Sequence, residues 1–360
     1  MKTEAERNPC SGSAIRANRV SKVALGPGPQ SVWQGQVFNG PAQGPDEFAN
    51  RNVAARLSLC CLLVLLLGCG PANSPAGKPD LVWGRRGSSD GRLQKPRAMT
   101  IDRDDQLYIA DMTGRIQVFT ADGQFLRGWH TPQSDNGKPC GLSFDLRGNL
   151  LVADTHYYRV LVYTPEGRLL EDQTIGGICG SRPGEFSFVT DCVQDSRGNF
   201  YVSEYGESDR VQKFSPDRKF LLQWGSHGTE PGQFSRPQSL AIDQQDLVWV
   251  TDARNHRIQV FDASGTAAKL VKIWGQHGSQ PGQLSYPYGL VLDGTGQVYV
   301  AEFGNHRVQK FTRDGESLGV WGTNGRRSGE LYQPWALVMD SQGRIHILDT
   351  YNHRVQRIRL

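Results

Sequence analysis

The sequence is short of the features that would assign it quickly. Its seven cysteines include no Cys-x-x-Cys spacing, which excludes the usual zinc modules. Its longest apolar run, Leu57 to Leu67 broken by Ser58, falls below the roughly 18 residues that a membrane-spanning helix needs. Charge of one sign is scarce: 40 Lys and Arg stand against 36 Asp and Glu, a net +4, too weak to argue for a nucleic-acid partner. Gly 42 and Pro 19 make the chain turn-rich, at about 17% of residues, yet below the roughly 25–30% of low-complexity chains. Collagen, coiled coil, polytopic membrane protein and zinc module are thereby excluded. At 360 residues the chain can bury a large core, and length alone suggests about two domains.

The first part of the chain is unlike the rest. Residues 1–52 run through Ser, Gly, Pro, Asn and Gln without period, with no Met between Met1 and Met99. They read as an extension upstream of the native start, or as a disordered one. Residues 53–68 pair the basic Arg56 with a short apolar run, the pattern of a signal peptide. Leu66-Leu67-Gly68-Cys69 resembles the lipobox of bacterial lipoproteins, which implies acylation of the Cys69 thiol, a tether over 69–79 and a place in the bacterial cell envelope, facing the periplasm or the exterior. Seven of the basic and four of the acidic residues lie in 1–68, so the remainder is near neutral.

From residue 80 onward the chain repeats. Asp111, Asp154, Glu204, Asp252, Glu302 and Asp349 each end an apolar stretch, at intervals of 43, 50, 48, 50 and 47. A short turn follows each, then an Arg-led strand: Arg115, Arg159, Arg210, Arg257, Arg307 and Arg354. Before each acidic strand lies another strand and an Asp-containing turn, and behind each Arg strand a fourth that in most copies ends in Trp. Six units of four short strands predict an all-β, six-bladed β-propeller over 80–360. The sixth unit has no fourth strand of its own, so Asp80-Leu81-Val82-Trp83 is expected to close the ring as its outer strand.

The turns Asn255-His256-Arg257, Asn305-His306-Arg307 and Asn352-His353-Arg354 resemble those of the NHL-repeat family, which implies this propeller but not one function. Residues recurring in every copy, the acid–Arg pairs, are expected to be scaffold, and the three His turns are expected to be polar turn residues and not a metal site. The ring of first residues of the innermost strands differs most between units: Arg97, Cys140, Thr190, Gln238, Tyr288 and Trp335. One step later the residues are small, except Asp191. Together these predict a ligand-binding channel mouth for a polar ligand with a flat or sugar-like face, with the alternative that Tyr288 and Trp335 only plug the channel.

Peptidyl-hydroxyglycine amidating lyases are similar propellers with zinc-binding His at this ring, but Gln238 stands where such an enzyme has His, and none of the six is His. No catalytic residue, metal or cofactor is assigned. The expected role is an exported, lipid-anchored, non-catalytic scaffold for a protein or envelope ligand, with a metal-assisted lyase or hydrolase as the alternative. Tyr157 and Tyr158, which replace one Asn-His turn, are candidate partner-surface residues. A disulfide between Cys179 and Cys192 is left open, because spacing cannot establish it.

Overall fold

A computed structural model describes residues 77–360. The segments 1–52 and 53–68, Cys69 and the tether as far as residue 76 lie outside the described residues. The described chain forms six four-stranded antiparallel sheets arranged as the blades of a propeller, as the repeat predicts.

Blade 4 shows why these residues form these strands. Its first two strands are Pro237–Ile242 and Val248–Asp252, and the second is buried along its whole length. Neighbouring blades cover both faces of the inner strands, so these strands read as continuous apolar runs. The third, Arg257–Asp262, is mostly buried, while the fourth, Lys269–Trp274, alternates exposed with half-buried residues. Blades splay apart toward the rim, so only one face of the outer strand packs. The core is therefore a set of clusters between blades: Trp249, Ile258 and Val260 of blade 4 meet Leu290, Val298, Val300 and Phe311 of blade 5. Trp274 rests against Phe311, with ring centroids 4.9 Å apart. Beside it sits Gly315, at φ +88°, where a Cβ would come within 2.6 Å of the Trp274 ring.

Recurring polar residues fix the turns. Between the first two strands of blade 4, Asp243 Oδ1 accepts the N–H groups of Gln245 and Leu247 at 2.9 and 3.0 Å, an Asx turn. At the opposite end Asp252 accepts Arg257 Nε at 2.7 Å and the Ser235 N–H at 2.7 Å. Arg257 then donates to the carbonyls of Thr229, Glu230 and Gln233 in the connection entering the blade. The acid–Arg pair thus pins each long connection to its own blade, a scaffold role repeated by Arg210–Glu204, Arg307–Glu302 and Arg354–Asp349.

Ring closure takes the expected route. Leu81–Trp83 pairs antiparallel with Arg354–Ile358, in the register Leu81 to Arg357 and Trp83 to Val355. It completes blade 6, whose other strands are Leu337–Met339 and Ile345–Asp349. Arg357 also pairs with Asp80 and with Asp122 of blade 1.

Blade 2 departs from the pattern. Its outer strand is only Ile175–Gly176, preceded by a single 3-10 turn at Glu171–Gln173. The Cys179–Cys192 bridge is not formed. Cys192 is a free thiol on the inner strand Phe188–Gln194, packed among Val189, Phe200 and Val202. Cys179 lies in the connection above, where its backbone pairs with that of Phe186.

Candidate functional site

The first strands of all six blades line a central channel of about 260 Å³, whose wall includes Cys140, Asp191, Gln238, Tyr288 and Trp335. Its mouth opens at the end where those strands begin and the second strands finish, beside the Asn-His-Arg turns.

Two aromatic side chains form much of the mouth's wall. Tyr288 and Trp335 are 6% and 8% exposed, 4.8 Å apart in edge-to-face geometry, and Tyr288 stacks on Phe303 at 4.6 Å. They are packed as structure, and their faces support cations. The Arg97 guanidinium lies 5.2 Å from the Trp335 ring. Arg236 lies 4.9 Å from Tyr205 and 5.6 Å from Tyr288, with Nε donating to Gln238 Oε1 at 3.2 Å. Among the described residues neither guanidinium is in an ion pair. A guanidinium held on a ring face keeps its donors free for an anion.

Cys140 packs against Tyr288 and Trp335, its Sγ 2.9 Å from Thr155 Oγ1. Burial pushes its thiol up, against the Thr155 hydroxyl and the two arginines, which favour the thiolate. Asp191 is the channel's carboxylate. Oδ2 accepts the Leu240 N–H at 2.9 Å and the Ser239 hydroxyl at 3.1 Å, and Oδ1 accepts the Cys192 N–H at 2.9 Å. Burial outweighs these bonds and raises its carboxyl to about 7. The small residues around it have a steric reason: a Cβ on Gly141 would lie 2.3 Å from the Thr190 carbonyl oxygen and 2.9 Å from Asp191 Oδ1.

Thr190 does not belong to the mouth, a correction to the predicted ring. It occupies a bulge between Val189 and Asp191. Its fully buried hydroxyl bonds Ser203 Oγ and the Pro237 carbonyl, both at 2.7 Å. Tyr158 is turned inward as well. At φ +57° it takes the place of the NHL histidine and packs on the core between blades 2 and 3. Tyr157 is half-buried, its hydroxyl accepting the Asn136 N–H at 3.1 Å and its ring carrying Arg159 at 5.3 Å.

The histidines of the three Asn-His-Arg turns act as joints between blades. Each adopts φ +56°. His256 Nδ1 accepts the N–H of Tyr286 and His306 Nδ1 that of Gln333, each at 3.0 Å and each in the next blade. Among the described residues no three His, Cys, Asp or Glu converge as a metal site.

Arg236, Tyr205 and Phe303 are site residues that the ring argument missed. Arg236 precedes the proline of its blade, where Lys95, Tyr286 and Gln333 also stand with positive φ. Tyr205 and Phe303 follow the recurring acid directly. Both positions vary from copy to copy, and that variation was the available signal.

Comparison with known proteins agrees with the propeller fold. The NHL repeat family matches residues 234–261, 284–311 and 331–358. Rat peptidylglycine alpha-amidating monooxygenase is 39% identical over 134 residues, covering 34% of this chain and 13% of that protein. Mouse NHL repeat-containing protein 3 is 30% identical over 171 residues, covering 43% of this chain and 48% of that one. The chain thus spans less than half the length of these relatives. A streptogramin B lyase structure superposes with a TM-score of 0.53 at 13% identity, over 76% of this chain and 95% of that one. A virginiamycin B lyase from Staphylococcus aureus superposes with a TM-score of 0.52 at 14% identity, over 73% and 80%. Identities this low speak for the fold alone. The first three strands of blades 4 to 6 of this six-bladed propeller match the NHL repeat, the type of repeat that the Asn-His-Arg turns resemble.

Proposed function

We propose that the propeller is a binding module, and that its ligand, part of a protein or an envelope polymer, docks over the channel mouth through an anionic group. The observation that carries this reading is the pair of guanidinia, Arg97 and Arg236, mounted on Trp335, Tyr205 and Tyr288 without a carboxylate to neutralise them. Rigid mounting lowers the entropy cost of recognition. The same proposal makes the chain a lipoprotein anchored at Cys69, on the strength of the apolar run and Leu66-Leu67-Gly68-Cys69.

The test is crosslinking in intact cells from a photoreactive residue at Gln333, followed by mass spectrometry, in the parent chain and in Arg97→Ser/Arg236→Ser. One dominant adduct that the double variant loses is expected. An adduct of equal yield in both chains refutes docking at the mouth. Cys69→Ala is expected to move the protein from the membrane to the soluble fraction, and an unchanged membrane fraction refutes the anchor.

A lyase or hydrolase reading has one observation in its favour. Asp191, with its carboxyl raised to about 7, titrates where a general acid or base works best. Stoichiometric metal in the purified protein, lost in Asp191→Ala, would support that reading over simple binding.

A further inference from the structure

The connections between blades allow comparison within one molecule, because five of them carry the same parallel bridge. The pairs are Arg86 with Leu93, Cys179 with Phe186, His227 with Phe234, His277 with Leu284 and Asn324 with Leu331. The first bridge position is thus Arg, Cys, His, His and Asn. Two residues further on stands the residue whose carbonyl accepts Nη1 of the blade's scaffold arginine. It is Ser88 for Arg115, Ser181 for Arg210, Thr229 for Arg257, Ser279 for Arg307 and Arg326 for Arg354. Four of the five are Ser or Thr, and the fifth is Arg326.

The two departures meet. Arg86, from the connection into blade 1, and Arg326, from the connection into blade 6, line one pocket of about 370 Å³ with Tyr351, Asn352, His353 and Arg354. At every other copy these positions carry uncharged or weakly basic side chains. Both arginines are exposed, and among the described residues neither is in an ion pair. The acids nearby are committed elsewhere. Asp349 holds Arg354 at 2.7 Å, and Glu330 accepts the backbone N–H groups of Arg326 and Arg327, both at 2.8 Å. Lys95, outside the pocket's lining, places a further cation 5.1 Å from the Tyr351 ring.

We infer that this pocket at the seam between blades 6 and 1 binds a phosphate-type oxyanion, held between the guanidinia of Arg86 and Arg326. Like charges gathered at one pocket repel, and a tetrahedral oxyanion relieves that repulsion while matching the planar fork of a guanidinium. The site is separate from the channel mouth, because it uses neither Arg97 nor Arg236. Free phosphate and a phosphate-bearing polymer share this chemistry.

Calorimetric titration with inorganic phosphate, and separately with a poly(glycerol phosphate), at constant ionic strength tests it. The variant Arg86→His/Arg326→Ser installs the side chains of other repeats and so leaves the fold intact, which an unchanged melting temperature without ligand verifies. Arg97→Ser/Arg236→Ser is the second comparison. Saturable binding of at least one probe is expected in the parent chain, weakened at least tenfold in Arg86→His/Arg326→Ser and retained in Arg97→Ser/Arg236→Ser. Tighter binding of the polymer identifies a polymeric ligand, and equal affinity per phosphate identifies the free anion. No saturable binding of either probe, or equal binding in Arg86→His/Arg326→Ser, overturns the site. Loss in Arg97→Ser/Arg236→Ser alone also overturns it and assigns the anion to the mouth.

Discussion

His353 Nδ1 accepts the backbone N–H of Lys95 at 2.9 Å, across 258 positions of sequence. The bond ties blade 6 to blade 1 and requires a ring nitrogen with no proton. Burial and the charges of Arg86 and Lys95 hold the proton affinity of His353 below its ordinary 6.5. The unfolded chain therefore binds a proton more readily than the folded one, and the His353 contribution shrinks as pH falls below 6.5. His353→Ala is expected to cost about 1–3 kcal/mol at pH 7.5, from a lost hydrogen bond and an Ala at positive φ. In urea unfolding at pH 7.5 and 5.5, the gap between parent and variant should narrow at the lower pH. An equal or wider gap there contradicts the joint.

Arg257 is tied to one carboxylate and three carbonyls. Arg257→Ala leaves Asp252 buried without its cation, which is expected to cost about 3–5 kcal/mol. Arg257→Lys should recover little of that, because an ammonium cannot reproduce the planar fork. Denaturant midpoints of the three chains check this, and a fully stable Lys variant would show that charge alone suffices.

Asp191 makes the opposite contribution to pH dependence. Its folded carboxyl is raised to about 7 from the ordinary 3.8, so the folded state holds the proton more tightly. The associated stability is complete below 3.8 and is lost as pH rises to about 7. Carbon-13 NMR of the carboxyl should give a midpoint near 7, whereas one below 5 would mean that the channel wall is far wetter than the structure has it.

Removing residues 1–84 strips the outer strand from blade 6 and bares the edge of Arg354–Ile358. Exposed edges invite pairing with another chain. The truncated protein is expected to melt at lower temperature and to associate at concentrations where the parent chain is monodisperse, as read by light scattering. Unchanged melting and mass would show that blade 6 holds with three strands.

The architecture was legible because it is written six times. Trp, acid, Arg and Pro recur in phase, and a missing fourth strand pointed to Leu81–Trp83. The site was only partly legible. Arg97, Cys140, Gln238, Tyr288 and Trp335 were singled out by counting from the prolines, and Asp191 as the one residue that is not small a step later, but Thr190 sits at a bulge that turns its hydroxyl between blades. Counting along one strand also could not see Arg236 or Phe303, which reach the mouth from a left-handed residue and from the neighbouring turn. Cys192 looked like the nearest partner of Cys179 by spacing, but spacing does not reveal that its side chain faces a core.

The pairing of Asp80 with Arg357, 277 positions apart, also sets the order in which the molecule can assemble. A growing chain exposes Leu81–Trp83 early and Arg354–Ile358 last of the propeller strands, so blade 6 cannot form before all the others have been made. Contacts of such long sequence separation make folding slow. Blades 1 to 5 contain all their own strands and can form in turn. The ring then shuts in a single late step, and until that step the molecule is an open arc with two unpaired ends.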